Sequence, residues 1–246
     1  MKDEISTKKA LGILAKTLPQ IIYTTILGLT QVNPVWSILF YTGLGMVNAW
    51  GSFGQVRINE LVTFIDKHRD QFLPDIIKSE KFKSIFLNIL DAYFKETLEE
   101  KRKLLRNYLL NVGKGIEKDF DYHTKLMTVL NQITFDELKV ISIWNGKLQD
   151  KFVEKNSEIG YTRDNIEEKM TNLNAGQIAW ALGREEKGQK IMRNINFLVK
   201  SLGNYGLLDV RESTPVIFDS ENNNSTVVVD GISDFGKAFL GFLKED

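Results

Sequence analysis

Residues 17–56 read TLPQIIYTTILGLTQVNPVWSILFYTGLGMVNAWGSFGQV and contain no Asp, Glu, Lys, Arg or His, with Lys16 before them and Arg57 after. In a chain that is 26% charged, so long an uncharged run has two physical outcomes. It enters a bilayer, or it is buried against other protein as the heart of a helical bundle or an oligomer seam. Asn33-Pro34 divides the run, because a proline ring disfavours helix in the residue before it and supplies no amide hydrogen. The pattern predicts one helix over residues 5–32 and a second over residues 35–54, together an apolar helical hairpin occupying residues 1–56.

Roughly 20 apolar residues cross a bilayer core, a length that the second helix meets and the first does not. Lys8, Lys9 and Lys16 precede the run and Arg57, Lys67 and Arg69 follow it, which would hold both ends on the cytosolic side. Gln20, Thr24, Thr25, Thr30, Gln31, Asn48 and Ser52 make it only moderately apolar, as suits a buried bundle. Both readings stand at this stage, and both assign the contact to the same residues: Ile22, Ile26, Leu27, Trp36, Leu39, Phe40, Gly43, Leu44, Gly45, Val47, Ala49 and Trp50. The small ones let helices approach closely, as Gly45 and Ala49 would in small-xxx-small packing. The N-terminus mixes acids with bases and lacks a compact apolar core before a small-residue cleavage site, so no secretory signal is expected. The expected location is the cytoplasmic side of the inner membrane, or the cytoplasm.

From residue 57 the grammar changes to amphipathic helices. Ile58, Leu61, Val62, Ile65 and Phe72 recur at helical spacing until Pro74. Phe82, Ile85, Phe86, Ile89, Leu90 and Phe94 line one face of the next helix. Leu104, Leu105, Tyr108 and Leu109 line another, which Gly113 or Gly115 closes. KETLEEKRKLLR reads as a solvated helix face with acid–base pairs along it, rather than as a basic docking patch. A short helix over residues 122–133 completes a central bundle, residues 57–133.

The remainder, residues 134–246, has the order of a winged helix-turn-helix. Thr134-Phe-Asp-Glu137 is a capping box opening a helix to about residue 148. A polar stretch, residues 151–173, precedes a short helix in NAGQIAWALG and a long one carrying Ile191, Ile195, Leu198 and Leu202. Gly203 and Gly206 end that helix, a strand begins at Leu207, Leu208 and Val210, DSENNNS is a turn-rich tip, and TVVVDGI is the return strand. Ser233 caps a last helix, DFGKAFLGFL. The expected fold is therefore mainly α: N-terminal apolar hairpin, central helical bundle and C-terminal winged-helix-like α+β domain.

A winged helix suggests DNA, so charge has to be weighed. The whole chain holds 32 Lys or Arg and 32 Asp or Glu, which gives no general pull toward phosphate. From Thr134 onward there are 14 bases against 18 acids, a net of −4, although Arg184, Lys187, Lys190, Arg193 and Lys200 fall on the candidate recognition helix. With acids at the wing tip as well, docking of a protein is the better reading and nucleic acid the alternative.

No chemistry-bearing constellation emerges. Cysteine is absent, which excludes disulfides and thiolate chemistry. His68 lies between Asp66 and Asp70 but points to another helix face, and His123 with Asp119 lacks a third ligand. There is no Gly-x-Ser-x-Gly elbow, GLGMVNAWG lacks the strand that a dinucleotide fingerprint follows, and no carboxylate pair sits in an apolar stretch. The reading is non-enzymatic, with no cofactor, no metal and no catalytic residue assigned.

Taken together, EEKRKLLRNYLL, LNQITFDELKVISIW, FLVKSLGNYGLLDV and ISDFGKAFLGFL resemble the Abi-alpha family of bacterial proteins over roughly residues 95–243. The resemblance implies abortive infection, in which phage is defeated by harming the infected cell. Together with the uncharged run of residues 17–56 it leads to a non-enzymatic effector or accessory protein that associates with the inner membrane, or with a second copy or another protein, through its N-terminal apolar helices. The alternatives are a winged-helix DNA-binding regulator and a soluble structural adaptor. The family pattern brings no catalytic residues with it. This chain departs from it through the apolar hairpin, residues 151–173, and Asn-Tyr inside the Leu-Gly-Leu turn.

Overall fold

A computed structural model describes residues 6–48, 51–115, 120–144, 173–182, 189–213 and 226–243. Over these the chain is mainly α, with twelve α-helices and one three-stranded antiparallel sheet near the C-terminus. It forms two compact units that divide between Asn131 and Gln132.

Unit 1 begins with α1 (Thr7–Thr17), α2 (Gln20–Val32), α3 (Val35–Asn48) and α4 (Gly51–Lys67). A 3-10 turn (Arg69–Gln71), α5 (Pro74–Lys78), α6 (Glu80–Lys95), α7 (Glu99–Gly113) and α8 (Phe120–Gln132) follow. The single helix expected over residues 5–32 is two, because Pro19 stands at the start of α2 and extended backbone at Leu18 ends α1. The expected limit at residue 56 falls inside α4, and the hairpin and central helices share one unit. Asn33 makes the predicted break: its backbone N–H closes α2 on the Leu29 carbonyl at 2.9 Å, and its Oδ1 accepts from the Val35 N–H at 3.1 Å. Ser79 caps α6 by accepting from the Phe82 N–H at 3.1 Å.

The core of this unit is an aromatic cluster. Trp36, 1% exposed, meets Phe72 edge-on at 5.2 Å between centroids and Phe82 at 6.2 Å, while Phe40 meets Phe86 at 5.6 Å and 89°. Edge-to-face contacts place positive ring edges against negative faces and add to area burial. A side chain at Gly43 would run into Leu90 of α6, so the missing Cβ is what lets α3 and α6 close on each other.

Unit 2 holds α9 (Phe135–Ile141), a 3-10 turn (Ser142–Trp144), β1 (Leu173–Asn174), α10 (Ala175–Ala181), α11 (Gln189–Asn204), β2 (Leu208–Ser213), β3 (Thr226–Ile232) and α12 (Asp234–Leu243). The α9 capping box is formed: Thr134 Oγ1 accepts from the Glu137 N–H at 3.2 Å and Glu137 Oε2 accepts from the Thr134 N–H at 2.6 Å. α9 ends at Ile141, sooner than the pattern suggested, and residues 145–148 lie outside the described set. The sheet order is β1-β3-β2, both pairs antiparallel, with a register shift at Asp209/Val210. α11 ends in a left-handed Gly206 (φ +73°), where the Leu207 N–H reaches the Leu202 carbonyl at 3.0 Å, and β2 starts at once. Ser233 caps α12 through the Gly236 N–H at 2.9 Å. Unit 2 buries Ile195, Val199, Leu202, Leu207, Val227, Val229 and Phe239.

Candidate functional site

Among the described residues of unit 2, α11 is the longest helix. This helix packs on α9, α10, β2 and β3 through Ile195, Val199 and Leu202, all nearly fully buried. With 3.6 residues per turn its other side carries Asn194, Phe197 and Asn204, all exposed. Phe197 is 71% exposed, an aromatic ring left in water at the middle of the helix. Of the bases predicted to form a binding stripe, Arg184 and Lys187 lie outside the described residues. Lys190 and Arg193 have only their backbone placed, within α11. The strands behind the helix are tied by an Arg211–Asp230 pair at 2.8 Å. Sequence reasoning missed the exposed Phe197; the signal available was its position off the Ile195–Leu202 stripe.

The residues assigned to membrane or oligomer contact are placed differently from one another. Ile22, Ile26, Trp36, Leu39, Phe40 and Gly43 are buried within unit 1, and Leu27 is half-buried. Leu44, Gly45 and Val47 have backbone in α3, with side chains outside the description, and Ala49 and Trp50 lie outside the described residues. Among the described residues, no helix is long and apolar enough to cross a membrane.

In the charged run that leads into α7, Lys95, Glu99, Glu100 and Lys103 are exposed as a solvated face would have them, but its two arginines are not. Arg102 and Arg106 turn inward, their side chains 13% and 15% exposed, and link α7 to α4 and α6. Arg106 donates to Glu99 at 2.8 Å and to the Tyr93 hydroxyl at 2.9 Å, and that hydroxyl donates to Glu60 at 3.0 Å. Arg102 pairs with Glu99 and lies 3.4 Å from Glu60. Burial pushes the Tyr93 phenol up to about 12, partly offset by the Arg106 charge beside it. Burial alone would raise the Glu99 carboxyl, but Arg106 and Arg102 outweigh it and hold it below the ordinary range. Burial likewise opposes the charge on Arg106, yet Tyr93 and Glu99 outweigh it and raise its affinity for the proton. These groups neutralise one another and join three helices.

Both histidines have structural surroundings. His68 stacks on Phe64 at 4.6 Å, while Asp66 and Asp70 flank Arg69 at 3.7 and 3.8 Å. His123 is 1% exposed, with Nδ1 on the Tyr108 hydroxyl. It lies beneath an open cleft of about 230 Å³ lined also by Asn88, Asp91, Thr124, Thr128 and Asn131. Asp119, its suggested companion, lies outside the described residues. No group of three or more His, Asp or Glu placed to hold a metal occurs among the described residues.

No family model matches the chain, and neither a curated protein nor a solved structure matches it.

Proposed function

We propose that this chain is a non-enzymatic binding protein whose C-terminal unit is a winged helix that docks another protein through α11. Helices α9, α10 and α11 interleave with a short β1 and end in the β2–β3 hairpin. The order β1-β3-β2 supports the winged helix-turn-helix reading, in which the second paired helix is the displayed one. The observation that carries docking is Phe197 at 71% exposure on that helix. Apolar area held in water is unfavourable by about 25 cal/mol per Å², and buried aromatic anchors dominate protein interfaces. A net of −4 over residues 134–246 argues against a duplex, whose affinity comes mainly from phosphate neutralisation. The Abi-alpha resemblance supplies the setting, a phage-defence system of the abortive-infection kind acting in the cytoplasm or at the cytosolic face of the inner membrane.

Phe197→Asp tests this reading, because an exposed ring can be replaced without opening the core. The expected result is an unchanged melting temperature and circular dichroism spectrum, with at least a tenfold loss of phage protection in expressing bacteria. Protection equal to wild type would remove α11 docking from the mechanism. A photo-crosslinking residue at position 197 separates docking from its setting. Crosslinks to protein support the proposal, whereas crosslinks to nucleic acid, with salt-dependent duplex binding that weakens in Lys190→Ala, would make the chain a DNA-binding regulator.

A further inference from the structure

Of the apolar residues expected at an intermolecular contact, Ile22, Ile26, Trp36, Leu39, Phe40 and Gly43 are buried in the core of unit 1, which leaves the outward side of α2. Ile22, Ile26, Leu29 and Thr30 face inward and are buried. About a third of a turn away lie Ile21, 75% exposed, and Val32, 58% exposed, flanked on the outer side by exposed Gln20, Thr24 and Gln31. Between them, the space where a Gly28 side chain would be is open, with no atom within 4 Å. α2 carries no Asp, Glu, Lys or Arg at all, although 26% of the chain is charged. Its threonines add little polarity: the Thr24 and Thr25 hydroxyls both donate to the Ile21 carbonyl, at 2.9 and 3.0 Å, and need no water or partner.

We propose that α2 pairs antiparallel with α2 of a second copy of this chain along Ile21, Thr25, Gly28 and Val32. These positions are spaced four, three and four residues apart, the a/d seam of two helices in knobs-into-holes contact. A two-fold axis between positions 26 and 27 sets Ile21 opposite Val32 and Thr25 opposite Gly28, and each pair then occurs twice. The surface is thus complementary to itself, as a two-fold interface demands. Thr25 is the knob, and the missing Cβ of Gly28 is the hole that lets the backbones approach. Charge selects the same occupant, because an uncharged face meets its own copy without repulsion and without stripping water from an ion. The helix is 13 residues, about 20 Å, so the contact is smaller than the roughly 800 Å² per partner of a standard interface. The association is therefore on the order of micromolar, not obligate. It does not depend on what α11 binds.

The test is sedimentation velocity of the full chain from about 1 to about 100 µM. A monomer–dimer equilibrium is expected. Gly28→Leu fills the hole while meeting nothing in its own chain, and should shift the midpoint at least tenfold to higher concentration. The chain has no cysteine, so Ile21→Cys with Val32→Cys gives a second reading that needs no change at Gly28. Eleven residues along a helix is about 16 Å, too far for a disulfide within one copy, so mild oxidation should yield a covalent dimer. A monomer at every concentration overturns the proposal. So does a dimer that ignores Gly28→Leu or fails to crosslink, since its interface would then lie elsewhere. Monomeric protein that sediments with neutral phosphatidylcholine vesicles also overturns it and makes lipid the occupant.

Discussion

The two units use aromatic residues in opposite ways. In unit 1, Phe40, Phe72, Phe82 and Phe86 each lie 5.2–6.2 Å from Trp36, and all five rings are nearly inaccessible to water. Behind them Tyr93 is held by Glu60 and Arg106. In unit 2 the core is mostly Ile, Val and Leu between helices and sheet, and a phenylalanine of α11 is left outside. Rings that interlock hold a shape; a ring held in water is available to something else. The contrast places interlocked rings in the interior of unit 1 and one exposed ring on α11 of unit 2, where docking is proposed.

The comparison breaks first at its strongest point. Trp36→Ala removes the hub of the aromatic cluster and should lower stability by roughly 3–5 kcal/mol in chemical denaturation. That is a large share of the roughly 5–15 kcal/mol available to a domain. A loss below about 1 kcal/mol would mean that the cluster is not the keystone of unit 1.

Tyr93 gives a smaller and pH-dependent effect. Its folded pKa, about 12, lies above the ordinary 10 of a phenol, because burial favours the neutral form. The stabilisation is therefore complete below pH 10 and disappears as pH rises through 12. Two units correspond to roughly 2–3 kcal/mol. Tyr93→Phe cannot form the charge, so between pH 10 and 12 its stability should fall less steeply than wild type when followed by circular dichroism. Parallel curves would show that Tyr93 does not carry this dependence.

The smallest effect sharpens the other side of the comparison. Phe197→Ala should change stability by no more than about 0.5 kcal/mol, as exposed positions do. A cost near that of Trp36→Ala would place the Phe197 ring in the core and remove the argument for docking.

Much of the fold was legible because it depends on residues within one turn of each other. The Thr134-to-Glu137 capping box, the Ser233 cap, the Asn33-Pro34 break and the left-handed Gly206 are each a short-range hydrogen bond or dihedral restriction. β1 was not legible, since two residues, Leu173 and Asn174, have no periodicity to read; only pairing with Val229 and Val228 makes them a strand. Arg102 and Arg106 looked like part of a solvated run because acids precede them in sequence. Tyr93, which holds Arg106, lies thirteen residues before it, and Glu60, which faces both, is in another helix, α4. Phe197 could be placed off the buried stripe of α11, but its 71% exposure depends on there being nothing packed over it.

The sequence alone determined that residues 17–56 would supply much of a buried interior, since nothing in them is charged. It also determined the helix ends at Asn33, Thr134, Gly206 and Ser233 and the β2 and β3 strands, but not the break at Leu18-Pro19, the end of α9 or β1. Tertiary structure decided which side of each apolar helix does the packing. A helix with a charged face announces its rotation, but α2 is uncharged all round and carries no such contrast. Only the neighbouring α3 and α4 select Ile22, Ile26 and Leu29 for the interior and leave Ile21, Gly28 and Val32 facing out.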